Sequence, residues 1–126
     1  MKKTMVFFSL AALLYACGGN DKKAGGGTTT AASETSNADA DKGLELIGKS
    51  DCFGCHKIKE VSVGPAYNLV AQKYENTEAN QNKLAEKLMA GGSGNWGTVP
   101  MASHPNVSKE DAILMAKYVL SLKDEK

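Results

Sequence analysis

The apolar positions along the chain divide it into three regions. An almost unbroken apolar run occupies residues 5–15, and residues 18–41 then contain no Val, Ile, Leu, Phe, Tyr or Trp. From residue 42 to residue 126, apolar side chains recur at the three- and four-residue spacing of amphipathic helices. This pattern predicts one helical domain, preceded by two segments that add nothing to its core.

Helical periodicity predicts four short helices in this domain. The first three are expected at residues 39–50, 65–74 and 80–90. Pro65 would lie at an early position of the second helix, where its missing N–H is tolerated. Gly91 would end the third helix.

The fourth helix is the most clearly marked. Ser108 and Asp111 form the pattern of a capping box, and an apolar stripe follows at Ala112, Met115, Val119 and Leu122. No hairpin-forming dipeptide between alternating strands occurs in the chain. The sequence therefore predicts an all-α fold in which the terminal helices cross.

Residues 1–16 have the features of a bacterial export signal, because two lysines precede an apolar run too short to span a bilayer. Residues 14–17 resemble a lipobox, in which Cys17 is lipidated and becomes the new N-terminus. Tyr15 is larger than the residue usual at its position. The alternative is ordinary signal cleavage that leaves Cys17 free. An unpaired cysteine at the mature end favours the lipoprotein.

Residues 17–41 are predicted to form the lipidated cysteine and a flexible Gly/Ser/Thr/Ala linker. A flexible chain of this length spans roughly 25–30 Å, so an anchored domain would reach partners near the membrane. The alternative is a spacer of no particular length. Removal of the signal changes the formal charge from +1 to −1, since 13 basic and 14 acidic residues remain. No basic stripe with interleaved aromatic residues occurs, which argues against a nucleic-acid partner.

The sequence Cys-Phe-Gly-Cys-His at residues 52–56 carries the main chemical signal. Two thiols at this spacing followed by an imidazole form the attachment signature of a c-type haem. Cys52 and Cys55 would add to the two haem vinyl groups, and His56 would ligate the iron.

Two alternatives to haem use the same pair of thiols. A structural zinc site needs four ligands, and the chain offers only Cys17 and His104 as further cysteine and histidine. A thioredoxin-like dithiol belongs in a βαβ context, and no β-rich run flanks the motif. A structural disulfide between the two thiols is the remaining form of this alternative.

A methionine opposite the histidine would complete a low-spin electron-transfer haem and raise its reduction potential. Met89 and Met115 lie inside helical patterns, where methionine usually fills the core. Met101 instead follows a Gly- and Pro-punctuated segment, residues 94–101, that is not helical. We therefore predict Met101 as the second axial ligand, with packing in a loop as the alternative.

The domain resembles the class I cytochromes c, and among them the small bacterial single-haem kind represented by cytochrome c-551. The resemblance covers nearly the whole domain and is carried by residues 52–56, 63–67, 96–101, 106–108 and 118–121. It implies the class I cytochrome c fold, with four short helices around one covalently attached haem c.

The resemblance also implies roles for three residues around the haem. The carbonyl of Pro65 would accept the second ring N–H of His56, and Trp96 would donate its indole N–H to a haem propionate. Lys87 occupies a position where the family often has an arginine that assists a propionate; lysine keeps the charge but not the planar fork. The alternatives are a helix start for Pro65, a core residue for Trp96 and a solvated charge for Lys87.

The export signal and the lipobox predict a membrane-anchored protein on the periplasmic side of a bacterial membrane, and two filled axial positions predict an electron carrier and not an enzyme. By the resemblance, its partners are redox proteins. The donor would be a quinol-oxidising complex or another cytochrome, and the acceptor a terminal oxidase or a reductase. The alternative is a haem-based gas or redox sensor, or a haem enzyme, with labile Met101. His104, three residues past Met101, would then be the replacement ligand; otherwise it is a solvent-facing loop residue. A subunit of a larger complex is compatible with the same chemistry.

Overall fold

The computed structural model describes residues 29–125, with side chains from residue 37 onward. Four helices, two short 3₁₀ turns and a two-stranded hairpin follow one another along the chain: α1 (Thr29–Lys49), the turn Cys52–Gly54, α2 (Tyr67–Lys73), α3 (Glu78–Ala90), β1 (Gly92–Gly94), β2 (Gly97–Met101), α4 (Lys109–Ser121) and the turn Leu122–Asp124. The predicted helical class is confirmed, with the hairpin as an addition. The export signal, Cys17 and the first part of the linker lie outside the described residues.

Side-chain caps fix the starts of helices α3 and α4. The Ser108 hydroxyl accepts a hydrogen bond from the backbone N–H of Asp111 at 3.1 Å, as the sequence predicts. The Thr77 hydroxyl does the same for Asn80 at 3.3 Å. α3 therefore begins at Glu78, two residues before its predicted start. α2 is shorter than predicted, and Pro65 lies just before it rather than inside it.

Helix α1 begins well before its predicted start, which corrects the linker prediction. Residues 29–41 are helical rather than part of a flexible tether. The prediction rested on the lack of large apolar residues; residues 29–41 include four alanines, the strongest helix former, beside eight Thr, Ser, Asn and Asp residues of weaker propensity, so propensity alone does not account for the helix. The chain's Gly-Gly-Gly run ends at residue 27, and alanines are frequent after it. Among residues 29–125, no helix is long and apolar enough to cross a membrane.

The terminal helices pack against each other, as predicted. Gly43 of α1 is buried against α4, where a Cβ atom would lie 2.1 Å from the backbone oxygen of Leu114. The Lys117 ammonium of α4 pairs with the Asp39 carboxylate of α1. The buried core around this contact consists of Ile47, Tyr67, Ala71, Met115, Tyr118 and Leu122. α4 also contacts α2 and α3, so it is the helix on which the others assemble.

The hairpin formed by β1 and β2 was not expected from the sequence. The two strands are antiparallel, with Gly92 opposite Met101 and Gly94 opposite Gly97. The two-residue tip, Asn95 and Trp96, has no turn dipeptide of the usual hairpin type. The glycines on either side supply the positive φ angles instead, 115° and 108°. The lack of a turn dipeptide in the sequence therefore does not exclude this hairpin.

Candidate haem-binding site

A cavity of about 270 Å³ lies between the Cys-Phe-Gly-Cys-His segment and the hairpin. Its floor is apolar and is formed by side chains of α2, α3 and α4. The seven predicted site residues that the structure describes all line it: Cys52, Cys55, His56, Pro65, Lys87, Trp96 and Met101. We call residues 51–67 the His56 wall and residues 92–104 the Met101 wall. The two predicted axial ligands thus line the same cavity, one on each of these walls.

Backbone hydrogen bonds fold the His56 wall back on itself. The 3₁₀ turn brings the N–H of His56 to the carbonyl of Cys52 at 3.0 Å. The N–H of Gly64 donates to the carbonyl of Cys55 at 2.9 Å, and the N–H of Tyr67 donates to Lys57 at 2.9 Å. The motif is therefore held in place by the start of α2, which follows it along the chain.

The His56 ring has a fixed orientation. Its Nδ1 lies 2.8 Å from the carbonyl oxygen of Pro65. Because a carbonyl only accepts, Nδ1 must carry the proton, and Nε2 keeps the lone pair that a metal requires. The structure thus places Pro65 where the resemblance implies.

Two contacts to the His56 ring were not anticipated. The Tyr67 ring is stacked on it, with ring centroids 5.2 Å apart and 16° between the planes. On another side, a Cβ atom at Gly64 would lie 2.4 Å from Cε1 of His56. Both residues belong to the segment at residues 63–67 that carries the family resemblance, but only its proline was given a role. The family resemblance indicated the segment at residues 63–67, and the contacts in the structure identify Gly64 and Tyr67 as the residues that touch the His56 ring.

Burial affects the ionisable groups of this wall. Tyr67 is only 6% exposed, and burial raises the pKa of its phenol. Burial, followed by the neighbouring negative charge of Asp51, raises the pKa of the Cys52 thiol. Cys55 is exposed. The two thiols therefore differ in burial, although both line the cavity.

The Met101 wall is much more open to solvent. Met101 is partly buried, whereas the rest of β2 is exposed. Trp96 is 43% exposed and lines the cavity. Beyond Met101, the backbone N–H of His104 donates to the carbonyls of Leu88 and Met89 at 3.3 and 3.1 Å. The end of α3 therefore holds the chain just after the predicted ligand.

Two lysines reach the hairpin from the helices. Lys87 of α3 lines the cavity and donates to the Ser93 carbonyl at 3.4 Å. Lys73, the last residue of α2, donates to the Asn95 carbonyl at 3.1 Å, and its Nζ lies 4.5 Å from the centroid of the Trp96 ring. No sequence pattern marks Lys73, because a lysine in the last turn of a helix is common and needs no further role.

His104 does not face solvent, contrary to the simpler of the two sequence-based predictions for this residue. Its side chain is 21% exposed, and its Nε2 lies 3.7 Å from a carboxylate oxygen of Asp51. Its Nδ1 is buried and has no hydrogen-bond partner among the described residues. The ring therefore bridges the two walls at one edge of the cavity.

The residues around the cavity fit a c-type haem. Two thiols at the attachment spacing, a histidine with its Nε2 lone pair free and a thioether opposite form a complete donor set. The missing side chain at Gly64 leaves the space that the His56 ring occupies. The apolar floor of the cavity suits the apolar faces of a haem macrocycle, which would exclude water from the cavity.

Comparison with known proteins gives the same answer. The cytochrome c family model matches residues 40–123. The chain is 44% identical over 79 residues to cytochrome c-551 of Allochromatium vinosum, covering 63% of this chain and 84% of the relative. It is 40% identical over 88 residues to cytochrome c-552 of Nitrosomonas europaea, covering 70% and 82%. The crystal structure of the latter superimposes with a TM-score of 0.59 at 39% identity, covering 64% of this chain and 99% of that one.

These matches span the segments that form both walls of the cavity. They confirm the class I cytochrome c fold, and with it the predicted cofactor, one covalently attached haem c. The family match includes α2, α3, the hairpin and α4, but only the last part of α1. On the evidence of its fold, its donor set and these relatives, the chain belongs to the cytochrome c family.

Proposed function

We propose that this protein is an exported, lipid-anchored electron carrier with a single haem c, ligated by His56 and Met101. The observation that carries the proposal is that these two side chains, 45 residues apart in the sequence, line one cavity. Proteins of the cytochrome c family transfer electrons, which supports the same conclusion.

The chain's own residues explain why such a site transfers electrons and does little else. Haem c supplies an iron that changes its oxidation state by one electron. The His56 Nε2 and the Met101 sulfur would fill both axial positions, so no position is left for a substrate. Pro65 and Tyr67 hold the His56 ring in one orientation. Because the ligand orientation stays the same in both oxidation states, electron transfer needs little reorganisation of the site.

The rim of the cavity suits a transient redox partner. Val63 and Val99 are 58% and 62% exposed, one on each wall, and Trp96 of the second wall is 43% exposed. A small apolar rim of this kind fits the small, short-lived interfaces of electron-transfer encounters. The proposed donor is a quinol-oxidising complex or another cytochrome, and the proposed acceptor is a terminal oxidase or a reductase.

The proposed anchor is a lipid on Cys17, on the periplasmic side of a bacterial membrane. Export fits a cofactor that is attached outside the cytoplasm, and two lysines followed by a short apolar run fit an export signal. The test is membrane fractionation of the full-length chain and its Cys17→Ser variant, with mass spectrometry of the mature N-terminus. We expect the chain in the membrane fraction with a lipid on Cys17 and the variant in the soluble fraction. An unmodified Cys17 would overturn the anchor and leave the electron carrier intact.

Carbon monoxide titration of the reduced, haem-loaded protein tests the proposed ligation. The wild type should not bind carbon monoxide, because the Met101 sulfur holds the sixth position. Met101→Ala should bind it readily and lose reduction potential. Met89→Ala is the matched control, since Met89 lies on α3 and does not line the cavity. Ready binding by the wild type would sink the proposal.

One observation favours a second function, in which Met101 is labile and the iron senses a gas or a redox change. His104 has a buried Nδ1 without a partner among the described residues, and a neutral imidazole is a good iron ligand. If His104 replaces the lost sulfur, Met101→Ala should resist carbon monoxide. The double variant Met101→Ala/His104→Ala should then bind it. Equal binding by both variants would rule this function out.

A further inference from the structure

Lys73 makes an unusual set of contacts for a residue at the end of a surface helix. Its Nζ donates to the backbone carbonyl of Asn95 at 3.1 Å and lies 4.5 Å from the centroid of the Trp96 ring. The same ammonium lies 5.9 Å from the centroid of Tyr74. Asn95 and Trp96 together form the two-residue tip of the hairpin. One cation therefore links α2 to the part of the hairpin that projects furthest from its base.

The position of this tip bears directly on Met101. Strand β2 begins at Gly97, immediately after the tip, and ends at Met101. Its two ends are paired to β1, Gly97 with Gly94 and Met101 with Gly92, and the register is irregular between these pairs. Met101 lies between the tip and another anchored point, where the N–H of His104 donates to the end of α3. A contact at the tip is the second support that prevents the hairpin from tilting away from the cavity.

The chemistry of the contact suits this task. A cation over an indole face is the most favourable of the cation–π pairs, and a charged donor to a carbonyl is stronger than a neutral one. The Asn95 carbonyl is a backbone group, so the contact fixes the path of the chain as well as one side chain. Lys87 adds a longer contact, 3.4 Å, to strand β1.

We propose that Lys73 is a positioning residue that holds the hairpin over the cavity and so strengthens the ligation of iron by Met101. The proposal rests on the assignment of Met101 as a ligand. Loss of the Lys73 contacts should let the hairpin tilt outward more often, and Met101 with it. An external ligand would then compete more successfully for the iron.

Imidazole titration of the oxidised, haem-loaded protein measures this competition. Lys73→Met keeps the length of the side chain and removes both polar contacts, so its dissociation constant for imidazole should fall about five- to tenfold. Lys73→Arg keeps the charge, the donors and the stacking, and should stay near the wild type. Lys83→Met is the matched control, because the Lys83 Nζ lies over the Tyr74 ring, 5.1 Å from its centroid, rather than over the hairpin.

A second control separates positioning from general stability. Thr77→Ala removes the N-cap of α3 and lowers the free energy of unfolding without touching the hairpin tip. If Thr77→Ala or Lys83→Met tightens imidazole binding as much as Lys73→Met does, the proposal is wrong. Unchanged binding in Lys73→Met also overturns it. Absence of the sulfur-to-iron charge-transfer band in the oxidised wild type would instead show that the assignment of Met101 fails.

Discussion

The two walls of the cavity are built in different ways. The His56 wall is continuous with the hydrophobic core: Tyr67 is 6% exposed and stacks on the His56 ring, and backbone hydrogen bonds join the motif to the start of α2. The Met101 wall is a glycine-rich hairpin whose side chains are mostly exposed. Its supports are the end of α3 and the lysine contacts at the tip and at β1.

This difference indicates how the two proposed ligands are held. The histidine is fixed by packing that the protein needs for folding in any case. The methionine is fixed by a surface element whose position depends on a few polar contacts. We therefore expect the His56 wall to respond to substitutions through global stability, and the Met101 wall through the strength of ligation.

Truncation of the aromatic residue on each wall tests this contrast most directly. Tyr67→Ala should lower the free energy of unfolding by about 3–5 kcal/mol, because it leaves a cavity beside the core. Trp96→Ala should lower it by only about 1–2 kcal/mol, because nearly half of the side chain is already in water. Urea unfolding of the haem-loaded variants measures both. Equal losses would mean that the two walls do not differ in this way.

A methyl group added on the His56 wall should sharpen the contrast. Gly64→Ala places a Cβ 2.4 Å from the His56 ring, which Pro65 and Tyr67 prevent from moving aside. We expect a loss of about 1–3 kcal/mol in the free energy of unfolding, together with a changed haem spectrum. Gly48→Ala is the control: it lies in helix α1 with no atom within 4 Å of the added Cβ, and should stabilise by about 0.5–1 kcal/mol. If Gly64→Ala behaves like Gly48→Ala, the His56 ring is not tightly enclosed.

The buried Tyr67 phenol should give the smallest effect, a pH dependence of stability in the alkaline range. Burial raises its pKa in the folded protein above the ordinary value of 10.0. Below that value the phenol is neutral in both states and its contribution to stability is complete. Above it the unfolded state ionises first, so stability is lost as pH rises toward the folded pKa.

The pH dependence is measured by comparing the wild type with Tyr67→Phe. The difference in their free energies of unfolding should stay constant from about pH 8 to pH 10, and should then change against the wild type by at most about 1.4 kcal/mol per pH unit. Lysines titrate in the same range in both proteins and cancel in the difference. A constant difference up to about pH 11 would show that water reaches the phenol.

Much of the site was predictable because its chemistry depends on residue type and spacing. The motif at residues 52–56 indicates a covalently attached haem. Met101 is predicted as the ligand because it lies outside the helical patterns that contain Met89 and Met115. The capping residue Ser108 follows from a local rule and is found in the structure. The start of α1 was not predicted, because residues 29–38 carry no apolar stripe of helical period.

The sequence by itself determined that this chain holds a haem c in a small helical domain, since thiol spacing and helical periodicity are properties of neighbouring residues. The tertiary structure decided which residues support the ligands. Tyr67 and Gly64 meet the His56 ring only after the loop between the motif and α2 closes. Lys73 meets the hairpin tip 22 residues further along the chain, and no local pattern marks that pairing. Such contacts form only when separate elements pack, and for that reason no rule about adjacent residues predicts them.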